Sequence, residues 1–430
     1  MSAMAWTEHL PPLAELTGEL VALALVAWGW SQLGRRKHRD LARGRGEVRR
    51  LARELGGPAS PEGNRLEVLA DADGREMLAA LRAGILGARR RICVGTYILA
   101  DDAVGREVVA LLARRAREGV EVRLLVDAIG SRRPPWLALR RLRRAGGQVA
   151  RFNPLLSLRG RGSANWRNHR KIAVFDGATA LVGGHNLGLW YVGDRPRRRR
   201  FRDASFRIGG PAAGELENVF LTDWCQATGA APRELAAAFR DRPEPAGDTR
   251  AEVIDSGPDA PEDPLWHRLR DLVGGARRSV EIATPYFVPD AAMVATLRDR
   301  LAAGVRVRIV VPRFSDHPIT DFARRATLRE LRDLGAEVLL HRRGVLHAKL
   351  LVVDGETAVV GSANFDMRSF FLNYEVGVVV RGESALSRLR ALMGELAAES
   401  RPPSEASVRR AHRWHGRLLE RAAGWIAPLL

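Results

Sequence analysis

The same pattern occurs twice in this chain, about 180 residues apart, and the duplication favours a fold built from two similar halves. Each copy reads His-x-Lys, four residues, Asp, six residues and a Gly-rich segment that ends in Asn. The copies span His169–Asn186 and His347–Asn364. Shorter matches follow the same order outside the copies, 87–92 with 275–280 and 119–124 with 304–309. A chain of 430 residues has room for two domains of ordinary size, each with its own core.

Lysine is rare in this sequence and is concentrated in the repeated pattern. Only three of the 69 Lys and Arg residues are lysines, and two of the three are Lys171 and Lys349. A lysine ammonium acts as a compact point charge on one phosphate oxygen, whereas guanidinium is a wide planar fork. The two equivalent lysines of the repeat therefore indicate positions that need a compact positive charge.

Hydrophobic periodicity predicts strands that alternate with helices in each half. A helix with apolar Leu78, Leu81 and Ile85 leads into a strand at 92–98, and a buried strand follows at 120–126. Asp-Gly pairs between apolar runs after each His-x-Lys predict hairpins. We therefore expect an α/β protein with two similar halves, each a mostly parallel or mixed sheet flanked by helices, and with the active site between the halves.

The composition along the chain suggests six segments. Pro- and charge-rich sequence near 229–249 is typical of a connector between halves. The predicted segments are a helix at 1–34 that lies on or spans a membrane, a basic linker at 35–63, the first half at 64–228, the connector at 229–250, the second half at 251–400 and a basic amphipathic helix at 401–430.

The charge of the chain points to anionic partners. The net charge is +19 and the pI is about 11.2, which suits nucleic acid, an acidic membrane surface or phosphorylated substrates.

The uncharged run at 20–34 is shorter than the roughly 20 residues of a spanning helix. If it inserts, the basic residues after it place the rest in the cytoplasm. Trp414 and Trp425, with arginines around them, suit a helix in the headgroup layer. Either segment could instead pack on the protein.

Two histidines, two lysines and two asparagines supply the groups that phosphodiester chemistry needs. One histidine can attack phosphorus to form a phosphohistidine, while the other protonates the leaving alkoxide and later deprotonates an acceptor alcohol. Lysine and asparagine neutralise and hydrogen-bond the phosphoryl oxygens, so the scheme requires no metal and no cofactor. The two cysteines, Cys93 and Cys225, show no spacing typical of a zinc site or a disulfide framework.

A reacting imidazole needs a hydrogen-bond acceptor on its other nitrogen. Matched carboxylates lie downstream of the two copies, Asp203 after the first and Glu375 after the second. Asp176 and Asp354 are open to two roles, turn formation or catalysis. The candidate catalytic residues are His169, Lys171, Asp176, His347, Lys349 and Asp354. The candidate phosphate-binding or orienting residues are Asn186, Asn364, Ser362, Asp203 and Glu375.

The duplicated pattern resembles the phospholipase D superfamily. Asn168–Lys171 and Gly361–Phe370, followed by Asn373-Tyr374-Glu375, are similar in particular to bacterial cardiolipin synthases, and the resemblance covers 64–400. It implies that His169 is the nucleophile and that His347 is the general acid and base. It also implies that one phosphatidylglycerol yields glycerol and a phosphatidyl-enzyme, from which a second phosphatidylglycerol makes cardiolipin. The implied location is the bacterial inner membrane, with the catalytic part in the cytoplasm.

Other functions remain open at this stage. The same intermediate could pass to water, as in a phospholipase D hydrolase, or to another alcohol such as serine. A nuclease of the same superfamily is a further alternative, but two complete copies with apolar and amphipathic ends favour lipid and a membrane surface over nucleic acid. Both copies are intact, which argues against a non-catalytic scaffold. The sequence does not address the oligomeric state.

Overall fold

The structure is a computed structural model that describes residues 46–57, 60–154, 166–193, 200–260 and 263–404. The predicted N-terminal membrane segment at 1–34 and nearly all of the predicted C-terminal helix at 401–430 lie outside these residues. Among the residues that are described, no helix combines the length and the apolar character needed to cross a bilayer.

The first half begins after a helix at residues 46–56 (α1), which falls inside the predicted linker. This helix packs on the second half, where the buried Arg49 forms ion pairs with Asp255 and Asp259. The elements of the first half are β1 (Arg65–Leu69), α2 (Arg75–Gly87), β2 (Arg91–Thr96), α3 (Ala103–Arg117), β3 (Glu121–Asp127), α4 (Trp136–Arg144), β4 (Gln148–Phe152), β5 (Ile172–Phe175), β6 (Thr179–Gly183), β7 (Phe201–Arg202), β8 (Ser205–Gly209) and α5 (Pro211–Thr228).

The predicted connector at 229–250 contains a short 3₁₀ turn (Pro232–Leu235) and α6 (Ala236–Phe239). The second half then comprises β9 (Arg250–Ser256), α7 (Pro264–Gly274), β10 (Ser279–Ala283), β11 (Phe287–Val288), α8 (Ala291–Ala302), β12 (Arg306–Pro312), α9 (Pro318–Asp333), β13 (Glu337–His341), β14 (Val345–Leu346), β15 (Leu350–Val353), β16 (Thr357–Gly361), β17 (Phe365–Asp366), α10 (Met367–Phe371), β18 (Glu375–Arg381), α11 (Glu383–Ala398) and β19 (Ser400–Arg401).

The two main sheets have the same strand order. Within the described residues the first sheet runs β4-β3-β2-β5-β6-β8-β1 and the second runs β13-β12-β10-β15-β16-β18-β9, with β19 added beside β13. In each sheet the first three strands of this order are parallel and the remaining pairs are antiparallel. The prediction of two similar halves with mixed sheets is confirmed.

Local sequence explains the helices that cover these sheets. Leu78, Leu81 and Ile85 are buried on one face of α2, as the periodicity predicts. Asp102 is the N-cap of α3 and its carboxylate accepts hydrogen bonds from the first turn. Asp290 caps α8 of the second half in the same way. The repeated capping carboxylate thus begins equivalent helices in both halves.

The halves share one hydrophobic core in addition to a core of their own. Phe206 and Trp224 of the first half belong to the same buried cluster as Val378 and Leu389 of the second half. Helix α5 contacts β9, and α11 contacts β1, so each helix packs on a strand of the other half. A shared core fixes the halves against each other, which a site between them requires.

Candidate active site

Short backbone pairings between the halves bring the two histidine segments together. The backbone N–H of His169 donates to the carbonyl of Tyr374 at 3.0 Å, next to a bridge between Asn168 and Tyr374. The N–H of His347 donates to the carbonyl of Arg202 at 2.9 Å, where β14 pairs with β7. Each histidine therefore lies beside the segment of the opposite half that carries a candidate orienting carboxylate.

The orienting pairs cross between the halves. Nδ1 of His169 lies 2.9 Å from Oε1 of Glu375, and Nδ1 of His347 lies 2.5 Å from Oδ2 of Asp203. Glu375 and Asp203 are almost completely buried. A carboxylate on Nδ1 fixes the tautomer that carries a proton there, which leaves Nε2 as the nitrogen able to react.

The electrostatics of these pairs keep the carboxylates charged. Burial alone raises the pKa of Asp203, but Lys349 and His347 outweigh burial and hold the pKa far below its usual range. Burial likewise raises the pKa of Glu375, while His169 and Lys171 bring the net pKa below its ordinary value. Burial lowers the pKa of His169 to about 4, and Glu375 only partly opposes it. Burial and the charge of Lys349 also lower the pKa of His347.

Both motif lysines lie in the same buried region. Nζ of Lys171 donates to the carbonyl oxygen of His169 at 2.5 Å. Nζ of Lys349 donates to the carbonyl oxygen of His347 and lies 2.7 Å from Nδ1 of the same residue. Burial lowers the pKa of Lys171 to about 7 and lowers the pKa of Lys349 in the same direction. A bound phosphodiester would favour the charged form of both lysines.

Ser362 and Gly184 occupy equivalent positions in the two copies of the pattern, and their contacts account for the difference in residue type. The hydroxyl of Ser362 donates to Oε2 of Glu375 at 2.5 Å, so it supports the orienting carboxylate. A Cβ at Gly184 would lie 2.0 Å from Oδ1 of Asp203, which leaves no room for a side chain. That oxygen instead accepts the backbone N–H of Ala204 at 2.8 Å. The missing hydroxyl in the first half is therefore a steric requirement.

The two motif asparagines, Asn186 and Asn364, are buried. The side-chain oxygen of Asn186 accepts the backbone N–H of Ile98 at 3.1 Å, and its side chain also hydrogen-bonds to Tyr191. Asn364 is 5% exposed and hydrogen-bonds to Asp366. Each side chain is thus held within its own half, where its amide group is available to the site only in the orientation that these bonds allow.

Asp176 and Asp354 do not lie with the histidines. Each aspartate follows a strand, β5 or β15, and the motif lysine precedes the same strand. A four-residue strand separates its two ends by about 13 Å. Each has a positive φ, and each carboxylate accepts the backbone N–H groups of three residues, 89–91 and 277–279. The structure therefore does not bring these two residues together with the histidines, and of the two roles left open by the sequence their contacts support turn formation.

The sequence did not indicate the aromatic rings that flank the histidines. Tyr97 packs edge-on against His169 at 5.0 Å between ring centroids, and Tyr191 and Phe201 pack against His347 at 5.4 and 5.0 Å. Tyr97 directly follows β2, whose carboxyl end lies beside Lys171, and this position is the only signal that could have identified it.

Arg170, between the first histidine and lysine, forms a second contact between halves that the sequence did not reveal. Its guanidinium donates to the carbonyls of Glu375 at 3.0 Å and Ser256 at 2.9 Å, and it forms an ion pair with Asp223. Asn168 donates to the same Asp223 carboxylate at 2.8 Å. This buried network links the backbone next to His169 to the second half.

No group of three or more His, Cys, Asp or Glu side chains is arranged to hold a metal ion anywhere in the described ranges. What the site offers is two imidazoles with buried carboxylate partners and two buried ammonium groups. This set can supply a nucleophile, an acid or base, and positive charge for an anionic transition state.

Comparisons with known proteins agree with the duplicated site. A family model described as cardiolipin synthase, PLD-like domain, matches residues 81–224 and 269–397, one segment in each half. The chain is 36% identical over 370 residues to cardiolipin synthase A of Pseudomonas aeruginosa, covering 85% of this chain and 74% of that protein. It is 33% identical over 362 residues to the cardiolipin synthase of Halalkalibacterium halodurans, covering 83% and 71%.

The fold is also similar to a solved structure. The phosphatidylserine synthase of Haemophilus influenzae aligns with a TM-score of 0.67 at 16% identity, covering 89% of this chain and all of that one. At this identity the likeness concerns the fold alone. The sequence relatives and the two matched segments decide the family: this chain belongs to the phospholipase D-like family of cardiolipin synthases.

Proposed function

We propose that this chain is a phosphatidyltransferase that makes cardiolipin from two phosphatidylglycerol molecules and releases glycerol, through a phosphatidyl-histidine and without a metal ion. The observation that carries the proposal is the crossed pair of hydrogen bonds, from His169 to Glu375 and from His347 to Asp203. Two oriented imidazoles at one interface suit a two-step transfer with a covalent intermediate.

In the first step His169 attacks the phosphorus of the donor lipid. Glu375 keeps the proton of His169 on Nδ1, so the lone pair of Nε2 forms the P–N bond as the P–O bond to glycerol breaks. His347 gives a proton to the departing glycerol oxygen, and the buried carboxylate of Asp203 stabilises its imidazolium form. The products of this step are free glycerol and a phosphatidyl group on His169.

In the second step the acceptor lipid replaces glycerol. His347, now neutral, removes the proton from a headgroup hydroxyl of a second phosphatidylglycerol, and that oxygen attacks phosphorus. The new P–O bond forms as the P–N bond breaks, which returns His169 to its neutral state and His347 to its protonated state. The product is cardiolipin.

The assignment of the nucleophile to His169 is supported by its ionisation. A pKa near 4 leaves its imidazole neutral at physiological pH, as a nucleophile must be. His347 has two close polar partners on Nδ1, the carboxylate of Asp203 and the ammonium of Lys349. Burial and Lys349 lower the pKa of His347, and the carboxylate of Asp203 opposes this shift and so favours the protonated form that a general acid needs.

The lysines and asparagines of the motif act on the phosphoryl oxygens in this proposal. Lys171 and Lys349 are each about 5% exposed, in surroundings where a charge interacts more strongly than in water. Asn186 and Asn364 add amide donors. Negative charge on the phosphoryl oxygens of the transition state is then stabilised by positive and hydrogen-bonding groups that need not move.

We further propose that the enzyme acts at the bacterial inner membrane, with its catalytic part on the cytoplasmic side. Both lipid substrates are anionic and reside in a bilayer, and the chain carries a net charge of +19. Positive charge concentrates such a protein at an anionic surface. The basic residues that follow the uncharged run at 20–34 support the cytoplasmic side.

Mass spectrometry of lipid products tests the proposal. Purified full-length protein is incubated with phosphatidylglycerol vesicles in the presence of a chelator, beside His169→Gln and a control, His267→Gln, which changes an exposed histidine on α7. We expect cardiolipin and glycerol from the wild type and the control, and neither from His169→Gln. Phosphatidic acid as the sole product would make the chain a hydrolase, and cleavage of DNA without lipid products would make it a nuclease; either result overturns the proposal.

A further inference from the structure

We propose that the active-site rim, defined as Trp136, Leu137, Trp190, Phe314 and Ile319, is a docking surface that inserts into an anionic bilayer and places the site against its lipid substrates. The surface concerns how the protein meets the membrane, so it goes beyond the transfer chemistry. It also lies entirely within the described residues, apart from the terminal segments that the sequence suggested for membrane contact.

Exposed apolar side chains concentrate at this rim. Seven large hydrophobic residues of the described ranges are exposed, and the five rim residues are among them. Leu137 is 71% exposed and Phe314 is 66% exposed, which leaves most of each side chain in water. Large apolar groups that project from a charged surface are typical of membrane or protein contact sites. The two exceptions, Leu86 and Leu334, lie at or just after the ends of α2 and α9.

Sheet topology explains why the rim surrounds the site. β5 is antiparallel to β2, so the carboxyl ends of the parallel strands β2, β3 and β4 lie at the edge that carries Lys171. The loop after β3 leads directly into Trp136 and Leu137. β15 is antiparallel to β10, so the carboxyl ends of β10, β12 and β13 lie at the edge that carries Lys349. Phe314 and Ile319 follow β12, at the equivalent place in the second half.

Residues next to the rim residues in these loops interact with residues of the site. Trp190 is adjacent to Tyr191, whose ring packs against His347. Asp316, between Phe314 and Ile319, accepts a hydrogen bond from the hydroxyl of Tyr286 at 2.6 Å. Its negative charge also acts on His347, where it raises the pKa against the larger lowering by burial. In the first half, the positive charge of Arg132 acts on Tyr97, the ring that packs on His169, and lowers its pKa against the larger increase that burial causes.

The charges around the rim select an anionic bilayer as the occupant. Residues 128–147 contain no Asp or Glu, and all of their arginines are exposed: Arg132, Arg133, Arg140, Arg141, Arg143 and Arg144. In the second half, Arg313, Arg342 and Arg343 are exposed in loops at the carboxyl ends of β12 and β13. Tryptophan, leucine and phenylalanine flanked by arginine suit the headgroup boundary, where the apolar tips insert and the guanidinium groups meet phosphates.

Fluorescence of labelled cysteines tests the docking surface directly. Leu137→Cys and Phe314→Cys are made in the full chain and labelled with an environment-sensitive fluorophore, with Leu86→Cys and Leu334→Cys as exposed leucine controls away from the rim. The native Cys93 and Cys225 are buried, and burial raises the pKa of both thiols, so the introduced cysteine is the reactive one. Vesicles of phosphatidylglycerol and of phosphatidylcholine are compared.

We expect a blue shift of the emission at positions 137 and 314 with phosphatidylglycerol vesicles, a weaker shift with phosphatidylcholine, and none at 86 or 334. Vesicle binding without a shift at 137 and 314 would overturn the proposal, as would equal shifts at all four positions. A shift that needs no vesicles and grows with protein concentration would assign the rim to a second copy of the chain instead.

A kinetic comparison separates docking from chemistry. The double variant Leu137→Ser/Phe314→Ser should raise the apparent KM on vesicles by on the order of tenfold, because two inserted apolar side chains are lost. Its turnover of a short-chain, monomeric phosphatidylglycerol should match that of the wild type. Equal losses on both substrates would contradict a docking role. If the wild type makes no cardiolipin, the fluorescence shifts still decide the docking surface, so the two proposals fail separately.

Discussion

Glu375 of the second half holds Nδ1 of His169 in the first half, at 2.9 Å. The converse pair, Asp203 with His347, crosses the interface in the opposite direction. Neither half therefore contains a complete histidine and carboxylate unit, although each contains a complete copy of the sequence pattern. The duplicated pattern is in this sense one site whose parts are exchanged between the halves.

Removing the charge of the crossed carboxylate should reduce catalysis more than stability. Glu375→Gln keeps the size of the side chain but lets an amide face Nδ1 of His169, so the reactive tautomer is no longer favoured. We expect kcat to fall on the order of 10³-fold. The measurement is steady-state phosphatidyl transfer, with the exposed Glu356→Gln as the control. Retention of more than about a tenth of wild-type kcat would argue against the orienting role.

Asp176 should matter for stability and not for chemistry. Its carboxylate accepts three backbone N–H groups at 2.7 to 2.9 Å, and its φ of 54° is unfavourable for most residues. Asp176→Ala should therefore lower the free energy of unfolding by about 2 kcal/mol, a value discounted because the carboxylate is partly exposed. Urea denaturation measures this change, and kcat should stay near the wild-type value. A large loss of kcat with unchanged unfolding would restore the catalytic interpretation.

Gly184 should not tolerate a side chain. An added Cβ would lie 2.0 Å from Oδ1 of Asp203 and displace the carboxylate that holds His347. We expect Gly184→Ala to lower kcat at least tenfold, since misplaced catalytic groups lose about this much or more. Gly394→Ala is the matched control, because a Cβ there meets no other atom within 4 Å. Wild-type kcat in Gly184→Ala would show that Asp203 does not depend on this space.

The pH profile of kcat/KM should be bell-shaped. Protonation of His169, with a pKa near 4, removes the nucleophile and gives an acidic limb. The basic limb comes from loss of the proton of His347, the general acid, whose pKa is lowered by burial and Lys349, and from loss of the positive charge of Lys171, whose pKa is near 7. A bound anionic lipid raises the pKa of this lysine, and the basic limb of kcat should lie at higher pH than that of kcat/KM. A kcat/KM that is still rising at about pH 9 would contradict this account.

The sequence predicted the fold and most of the site because both depend on local, repeated signals. The hydrophobic periodicity at 78–85 corresponds to helix α2 in the structure, and the two His-x-Lys copies lie close together in it. The exchange of Glu375 and Asp203 between halves depends on how the two units pack, which spacing within one copy does not encode. The same holds for Tyr97, Tyr191 and Arg170, whose roles arise from contacts across the fold.

The sequence left Asp176 and Asp354 open to two roles for a physical reason. An aspartate before glycine serves a positive-φ turn, and the same residue type is common in active sites, so residue type and spacing alone could not separate the two roles. The direction of the strand decides the matter. A four-residue strand places the aspartate at one end and the lysine at the other.

Mapping of the covalent intermediate tests the central claim most directly. His347→Gln is incubated with phosphatidylglycerol, quenched in alkali to preserve the P–N bond, digested and examined by mass spectrometry, beside His169→Gln. The variant lacks the general acid of the first step as well as the base of the second, so the intermediate forms slowly and is not released; after a long incubation we predict a phosphatidyl group on the peptide that contains His169, and none in His169→Gln. A phosphatidyl group on His347 of the His169→Gln variant, or cardiolipin formation by a variant without His169, would contradict the account.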